Sequence, residues 1–491
     1  MVRSGERGIA LVAAMLMVLL LSAVGSSLMF VARTETLSSL NYKTMSQGRY
    51  AAESGMHSAA NHLLFTYATP GTVADPLANY DLTVSPVRFN GAAVVLSSDP
   101  AVASNYPIAA VRTAFAAATQ GALNVQDGSL TYAARATLLS MHSIVEAYGT
   151  TAVLQTWEIT GLGSLPGAAS TKVEVSTVIE RQVAPAFSYA AFATSSGCAA
   201  LSFAGGANTD SYDSTALVGG AAVFSDTDGN VGTNGNLDEA GNGTMIGGSL
   251  STPRAGVGSC TTNNVTAATI SGNATVADGL VELPQPITLT TPNPPSPMPP
   301  TGSNGLNGGE CNAITASAQG VCAGPVANVV TITPALNTSV VLGDVNLAGG
   351  TVLHLNAGTY VVNSITMAGN SSIVVDSGPV IFQVAGVDQA RPIDLNGGSV
   401  VNSSLDPQDL QFVYGGTGEI RLRGGAQTAA LVYAPNAVTS FAGGADFYGA
   451  VITGRLTATG GSSLHYDRNL LDSGLVTAGN FTMNTFTWKT F

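Results

Sequence analysis

His465, Tyr466 and Asp467 stand side by side near the C-terminus, and an imidazole beside a phenol and a carboxylate has the makings of an acid–base group. No nucleophile and no second acidic partner accompanies them along the chain, so a hydrogen-bonded turn cluster is the simpler reading. His57, His62, His142 and His354 are scattered, without metal-ligand spacing. Asp226, Asp228 and Asn230 place oxygen ligands at alternate positions, followed by Asn234, Asn236, Asp238 and Glu239, and calcium takes such ligands. The EF-hand pattern fails there, because Val231 and Leu237 fall where its glycine and glutamate belong. A solvated Asx-turn loop is the competing reading. No cofactor is otherwise expected.

The remaining catalytic patterns are missing: there is no G-x-S-x-G, H-E-x-x-H or Walker sequence. Asp344, Asp376, Asp388, Asp394 and Asp446 are spread through the second half without a visible pair, whereas glycan-cleaving sites cluster carboxylates on one face. The chain therefore reads as non-catalytic. Four cysteines, Cys198, Cys260, Cys311 and Cys322, fall in one central region and can pair in three ways. Local closure of Cys311 with Cys322, leaving Cys198 with Cys260, is the preferred pairing; free thiols are the alternative, and zinc is disfavoured because no C-x-x-C is present.

A chain of 491 residues allows two or three domains. A net charge of −13, with 17 basic and 30 acidic residues, argues against a nucleic-acid partner held through its phosphates. The 57 glycines and the low charge point to a folded chain of short strands and tight turns rather than to disorder.

The N-terminus carries the sharpest pattern. Residues 1–8 read MVRSGERG, and Ile9 to Ala32 follow without a charge. At about 1.5 Å per residue, a helix of that length crosses a hydrocarbon core of about 30 Å. Arg3 and Arg7 before it place the N-terminus in the cytoplasm and the rest beyond the inner membrane. The run lacks the small-x-small cleavage site of an ordinary secretory signal. Leu37, Leu40, Met45, Ala52, Met56, Ala59, Ala60, Leu63 and Leu64 then recur mostly at three- and four-residue steps, with no proline before Pro70. One helix over 9–68 is predicted, apolar first and amphipathic afterwards.

Arg7-Gly8-Ile9-Ala10-Leu11-Val12 and the later Gln47-Gly48-Arg49-Tyr50-Ala51-Ala52-Glu53-Ser54-Gly55 resemble the N-terminal region of PilX-like minor pilins of type IV pili. The resemblance covers about the first 65 residues. It implies that a prepilin peptidase cuts after Gly8 and leaves Ile9 as the new terminus. It also implies other pilins and the pilus assembly machinery as partners, an inner-membrane location with a periplasmic head, and later display on a pilus or the cell surface. A surface or glycan ligand would accompany an adhesive role. Major pilins usually carry Glu at the fifth mature position, and Ala13 stands there. That departure suggests a priming or tip role rather than bulk polymer.

Residues 69–186 read as a mixed α/β head. Ile108 to Thr119 and Ala134 to Tyr148 have helical spacing, while Gln155 to Gly163 and Thr171 to Arg181 read as an antiparallel strand pair joined around Pro166. Beyond Phe187, short apolar stretches are cut by recurring turns at Gly349, Gly369, Gly397, Gly424, Gly443 and Gly460, 17 to 28 residues apart. This spacing predicts a β-solenoid over 187–491 with glycine at the corners; a β-sandwich with glycine-rich hairpins is the alternative. Leu289 to Pro300 is a polyproline-like stretch expected to loop out or separate sub-domains. Tyr433-Ala434-Pro435-Asn436, Phe447-Tyr448-Gly449-Ala450 and His465-Tyr466-Asp467 together are similar to a β-rich C-terminal domain of unknown function that accompanies PilX-like N-termini. The fold expected is α+β, and the function that of a structural minor pilin. The alternative is a membrane-anchored β-helical protein that binds or acts on carbohydrate.

Overall fold

The computed structural model describes residues 6–125, 128–164, 172–304, 306, 308–396, 398–423 and 428–490. The first residues of the expected leader, the loop around Pro166, and the glycines at 397, 424 and 425 lie outside them. The chain is α+β and forms two compact units. Met1–Ser143, Val153–Gln182 and Asn480–Phe491 make the first; Ile144–Ala152 and Val183–Gly479 make the second.

The first unit is one long helix, α1 (Glu6–Phe65), with a small head. The head sheet runs in the order Val95–Ser97, Gly128–Val145, Thr151–Ser164, Lys172–Pro185, Val476–Thr490, and α2 (Ala109–Ala118) buries Phe115 beside it. Thr151–Ser164 and Lys172–Pro185 are antiparallel, with Trp157 opposite Ile179. The helix expected over 134–148 is instead part of the strand Gly128–Val145. Alanine and leucine favour a helix locally, but Ala134, Ala136 and Leu138 are buried at every second position, and packing on one sheet face overrides propensity. The last strand also departs from the sequence reading, which ran the glycine-rich domain to 491. Residues 480–490 complete the first unit's sheet, a pairing no local pattern announces.

In the second unit nearly all strand pairing is parallel, coil on coil, which excludes the hairpins of a sandwich. The register steps are Asp344 to Ser364, Ile365 to Ile393, Ile393 to Ile420, Ile420 to Thr439 and Thr439 to Leu456. Those steps reproduce the 17-to-28-residue spacing of the glycine turns, and the turns at Gly349, Gly369, Gly443 and Gly460, which lie among the described residues, fall at one corner of successive coils. Gly443 and Gly444, and Gly460 and Gly461, all hold φ near +70°, a region closed to most side chains. Corners stack on corners: Gly444 N donates to Gly460 O and Gly461 N to Gly205 O, both at 3.0 Å.

The stack is assembled from two runs of chain. Residues 191–282 climb through three coils. The chain then travels to the far end and returns through residues 303–467. The last returning coil docks on the first climbing one, with Val451 beside Ala191, Leu456 beside Leu201 and His465 beside Asp210. The proline-rich segment makes the journey. It does not loop out: Pro292, Pro295 and Pro299 are buried, and Ile287 and Leu289 pack on a cluster containing Phe187, Phe192, Leu431 and Ile452. Asn234 bonds both backbone groups of Ile287 at 2.8 Å, Tyr433 donates to Thr290 O at 2.8 Å, and Asp344 accepts from Gly302 N at 3.0 Å. Twenty residues at about 3.1 Å each reach about 60 Å, and nine strand spacings of about 4.8 Å need only about 43 Å. The far end is closed by α3 (Gly308–Ala316), which buries Cys311 and Ile314.

Inside, identical positions of successive coils form apolar columns. One reads Leu347, Met367, Leu395, Leu422, Phe441, Ala458, Phe203, Glu239, Ile270. Glu239 is fully buried in it, and neither carboxylate oxygen meets a hydrogen-bond partner of normal geometry. Burial pushes its carboxyl up to about 7, with the N–H groups of Thr275 and Ile246 offsetting part of the effect. The folded chain thus keeps a proton that the unfolded chain releases, so stability falls as pH rises from about 4.5 to about 7 and stays low above it. Glu239→Met should raise the melting temperature measured by circular dichroism. The gain should be largest above about pH 7, on the order of 3 kcal/mol, and smaller near pH 4.5.

Candidate functional site

The residues with the greatest functional reach lie on α1. Every residue from Ile9 to Lys43 is exposed, including Ile9 and Phe30 at 74% each. The apolar part has no protein to pack on, and this is the one helix among the described residues that is long and apolar enough to cross a membrane. Two of its hydroxyls are satisfied internally: Ser26 and Ser27 donate to the carbonyls of Ser22 and Val24 at 2.7 and 3.0 Å. A helix entering lipid needs that satisfaction, because nothing in hydrocarbon would replace water.

From Gly48 onward the same helix acquires a buried face at Gly48, Ala51, Ala52, Gly55, Met56, Ala59, Ala60 and Leu63, the three- and four-residue steps of one stripe. The small residues are there for space. A Cβ built on Gly161 would overlap Ala52 O, one on Gly163 would overlap Gly48 O, and one on Gly55 would meet Ala133 O. Helix and sheet backbones are therefore in direct contact. His62 and Phe115 meet edge to face at 5.5 Å where α1 packs on α2. Arg49 and Glu53 pair at 2.8 Å on the outer side.

Gly8 and Ile9 both lie within α1, and Ile9 is exposed. Ala13 is exposed on the same segment. Cys198 is bonded to Cys260 and Cys311 to Cys322, and no free cysteine remains. The first bridge ties the loop after Arg254 to the first climbing coil, and the second fastens α3 over the end of the core.

Of the candidate calcium ligands, Asn230 and Asp228 have partners within the chain. Asn230 Oδ1 accepts from Ser249 N and Ser249 Oγ at 2.8 and 2.9 Å and so caps a corner, while Asp228 faces Arg468 at 3.9 Å. Asn234 and Asn236 likewise serve corners, the latter bonding Thr266 O at 3.1 Å. Among the described residues no group of three His, Cys, Asp or Glu side chains could hold a metal ion.

His465 acquires two partners that its sequence neighbours do not reveal. Nδ1 lies 2.6 Å from Asp210 Oδ1, and Nε2 lies 3.1 Å from Asp446 Oδ1. Phe224 and Tyr448 pack on the ring at 4.4 and 4.6 Å. Asp467 turns away from it and accepts from Ser214 N and Asn469 N, with its second oxygen buried and unpartnered. Burial holds the Asp467 carboxyl above the ordinary range. Asp210 is 255 residues from His465 along the chain, so only the docking of the two runs brings them together.

Residues 7–57 match the family model described as PilX N-terminal, and residues 332–473 match a domain of unknown function, DUF7305. No curated protein and no solved structure matches. The first match covers the exposed apolar segment and the start of the packed stripe of α1. The second covers the returning run from Ile332 onward. Gly161→Val should cost about 3 kcal/mol, since the obstructing atoms are backbone and cannot swing aside. Limited proteolysis should then cut between residues 48 and 65, which stay protected in the unchanged chain.

Proposed function

We propose that this chain, which carries a PilX-type N-terminal region, is a minor-pilin subunit of a type IV pilus that primes assembly or sits at the filament tip. The observation that carries the reading is α1 itself. One continuous helix offers a bare apolar half to lipid or to neighbouring helices, and fixes its other half to a head by backbone contact. Such a part can be drawn out of a membrane without unfolding, because its own hydrogen bonds travel with it. In the membrane-bound form Arg3 and Arg7 hold the leader on the cytoplasmic side, and the head and the coil stack lie in the periplasm. Prepilin peptidase cuts after Gly8, and Ile9 becomes the terminus that packs among other pilins.

Ala13 supports the tip or priming assignment. A pilin that inserts into the bulk filament offers a carboxylate at this position to a neighbour's terminal amine inside an apolar core. An alanine offers none, but it also leaves no charge unpaired at an end where one neighbour is missing.

Mass spectrometry of the protein from cells with an active prepilin peptidase should give a chain beginning at Ile9. A retained leader, together with absence from sheared and purified pili, would sink the reading. Ala13→Glu should leave pilus number within about twofold of normal on a one-end role, a limit set by one solvated carboxylate at a free end. Abundant unchanged protein along the filament shaft would contradict that role.

A further inference from the structure

The joint between the two runs is held on its outer side by parallel backbone pairing, by Asp467 accepting from Ser214 N at 3.0 Å, by Tyr212 donating to Leu405 O at 2.7 Å, and by a histidine placed between two carboxylates. Asp210 belongs to the climbing run (Asn208–Tyr212), His465 to the returning run (Ser463–Asp467), and Asp446 to the preceding returning strand (Asp446–Ala458). His465 is buried, Asp210 is largely buried and Asp446 is half exposed. The other groups on this side are Tyr448 and Phe224 against the ring, Tyr212 packed on Tyr448 at 5.3 Å, and Asp467 two residues on. Arg468 pairs with Asp228 instead of entering the cluster.

Ionised carboxylates only accept hydrogen bonds. Both contacts can therefore be hydrogen bonds only when both ring nitrogens carry protons, that is, when His465 is an imidazolium. Neutral imidazole keeps one N–H, and its bare nitrogen then faces an oxygen lone pair at hydrogen-bond distance. We propose that Asp210, His465 and Asp446 form a proton-dependent latch across the joint, closed by the imidazolium and released when it loses a proton. Burial by itself would lower the affinity of His465 for a proton, but Asp210 and then Asp446 outweigh it and the net direction is upward. Stability from such a group is fully present below the ordinary imidazole value and is lost as pH rises through the raised one. Release weakens the hold of Ser463–Asp467 on Asn208–Tyr212, whose backbone pairing and Asp467–Ser214 bond remain, so opening is favoured where the two runs meet rather than within either run.

Hydrogen exchange of the full-length protein in detergent micelles reads this directly, after correction for the intrinsic pH dependence of amide exchange. Between about pH 6 and about pH 9, a range that brackets a raised imidazole, peptides covering 208–212 and 463–467 should lose at least about fivefold in protection relative to peptides covering 358–384. Asp446→Asn supplies an amide N–H to the bare Nε2 of the neutral ring, so its protection ratio should stay within about twofold across the same range. His465→Gln, which has nothing to titrate, should be equally flat. An unchanged ratio in the wild type, or the wild-type loss in either variant, overturns the latch.

Discussion

The second unit depends on one docking event. A parallel stack cannot be closed by a hairpin, because each strand needs a partner that runs in its own direction and comes from another coil. Here the first and last coils of two separate runs supply that partner to each other, along all three faces at once. Everything else follows from bringing them together. The proline-rich segment has to bridge the length of the stack, and an extended helix without internal hydrogen bonds covers the most distance per residue. The same segment seals the apolar outer face that Phe192, Leu431 and Ile452 would otherwise show to water. Glu146 fastens its middle, accepting from Thr290 Oγ1 at 2.7 Å and from Thr477 Oγ1 and Ala478 N at 2.8 Å. Burial opposes the charge on Glu146, but these donors outweigh it and hold the carboxyl below its usual range.

The first unit obeys a different constraint. Its helix must be apolar all round in one half and narrow on one face in the other, and the same residue types do not satisfy both. Bulky Leu, Met, Val and Phe fill the exposed half, where lateral packing or lipid is the expected surrounding. Apart from Met56, Gly and Ala fill the stripe from Gly48 to Ala60, where the facing strand also carries Gly161 and Gly163. Glycine on both sides lets two backbones touch, which fixes the helix axis against the sheet with little freedom to slide.

Much of this was legible from residue order, for physical reasons that differ by element. The long helix showed itself because its pattern is local and uninterrupted from Ile9 to Leu64. The coil corners showed themselves because a left-handed turn admits few residues besides glycine, so the corner leaves a chemical mark at each pass. What stayed hidden was set by partners distant in sequence. Ala134 to Val145 carries helix-forming residues and is a strand because two neighbouring strands claim its backbone. The proline-rich segment declared its conformation but not its course, which is fixed by Asn234, Tyr433 and Asp344 in three different coils. His465 declared neither of its carboxylates, since Asp210 lies in the other run and Asp446 in another coil.

The extent of the two family matches bears on how such a chain is built. The DUF7305 match ends at residue 473, directly after the last returning strand, and that strand is the one that needs the climbing run as its neighbour. A matched domain ending there would present an open parallel edge, and open edges recruit other chains. In this protein residues 191–282 cover that edge with three further coils. The Cys198–Cys260 bridge then pins a loop against Ala268, the outermost strand of the second face. The climbing run is therefore best understood as the cap of the returning one, and the joint between them as the place where the strength of that cap is set.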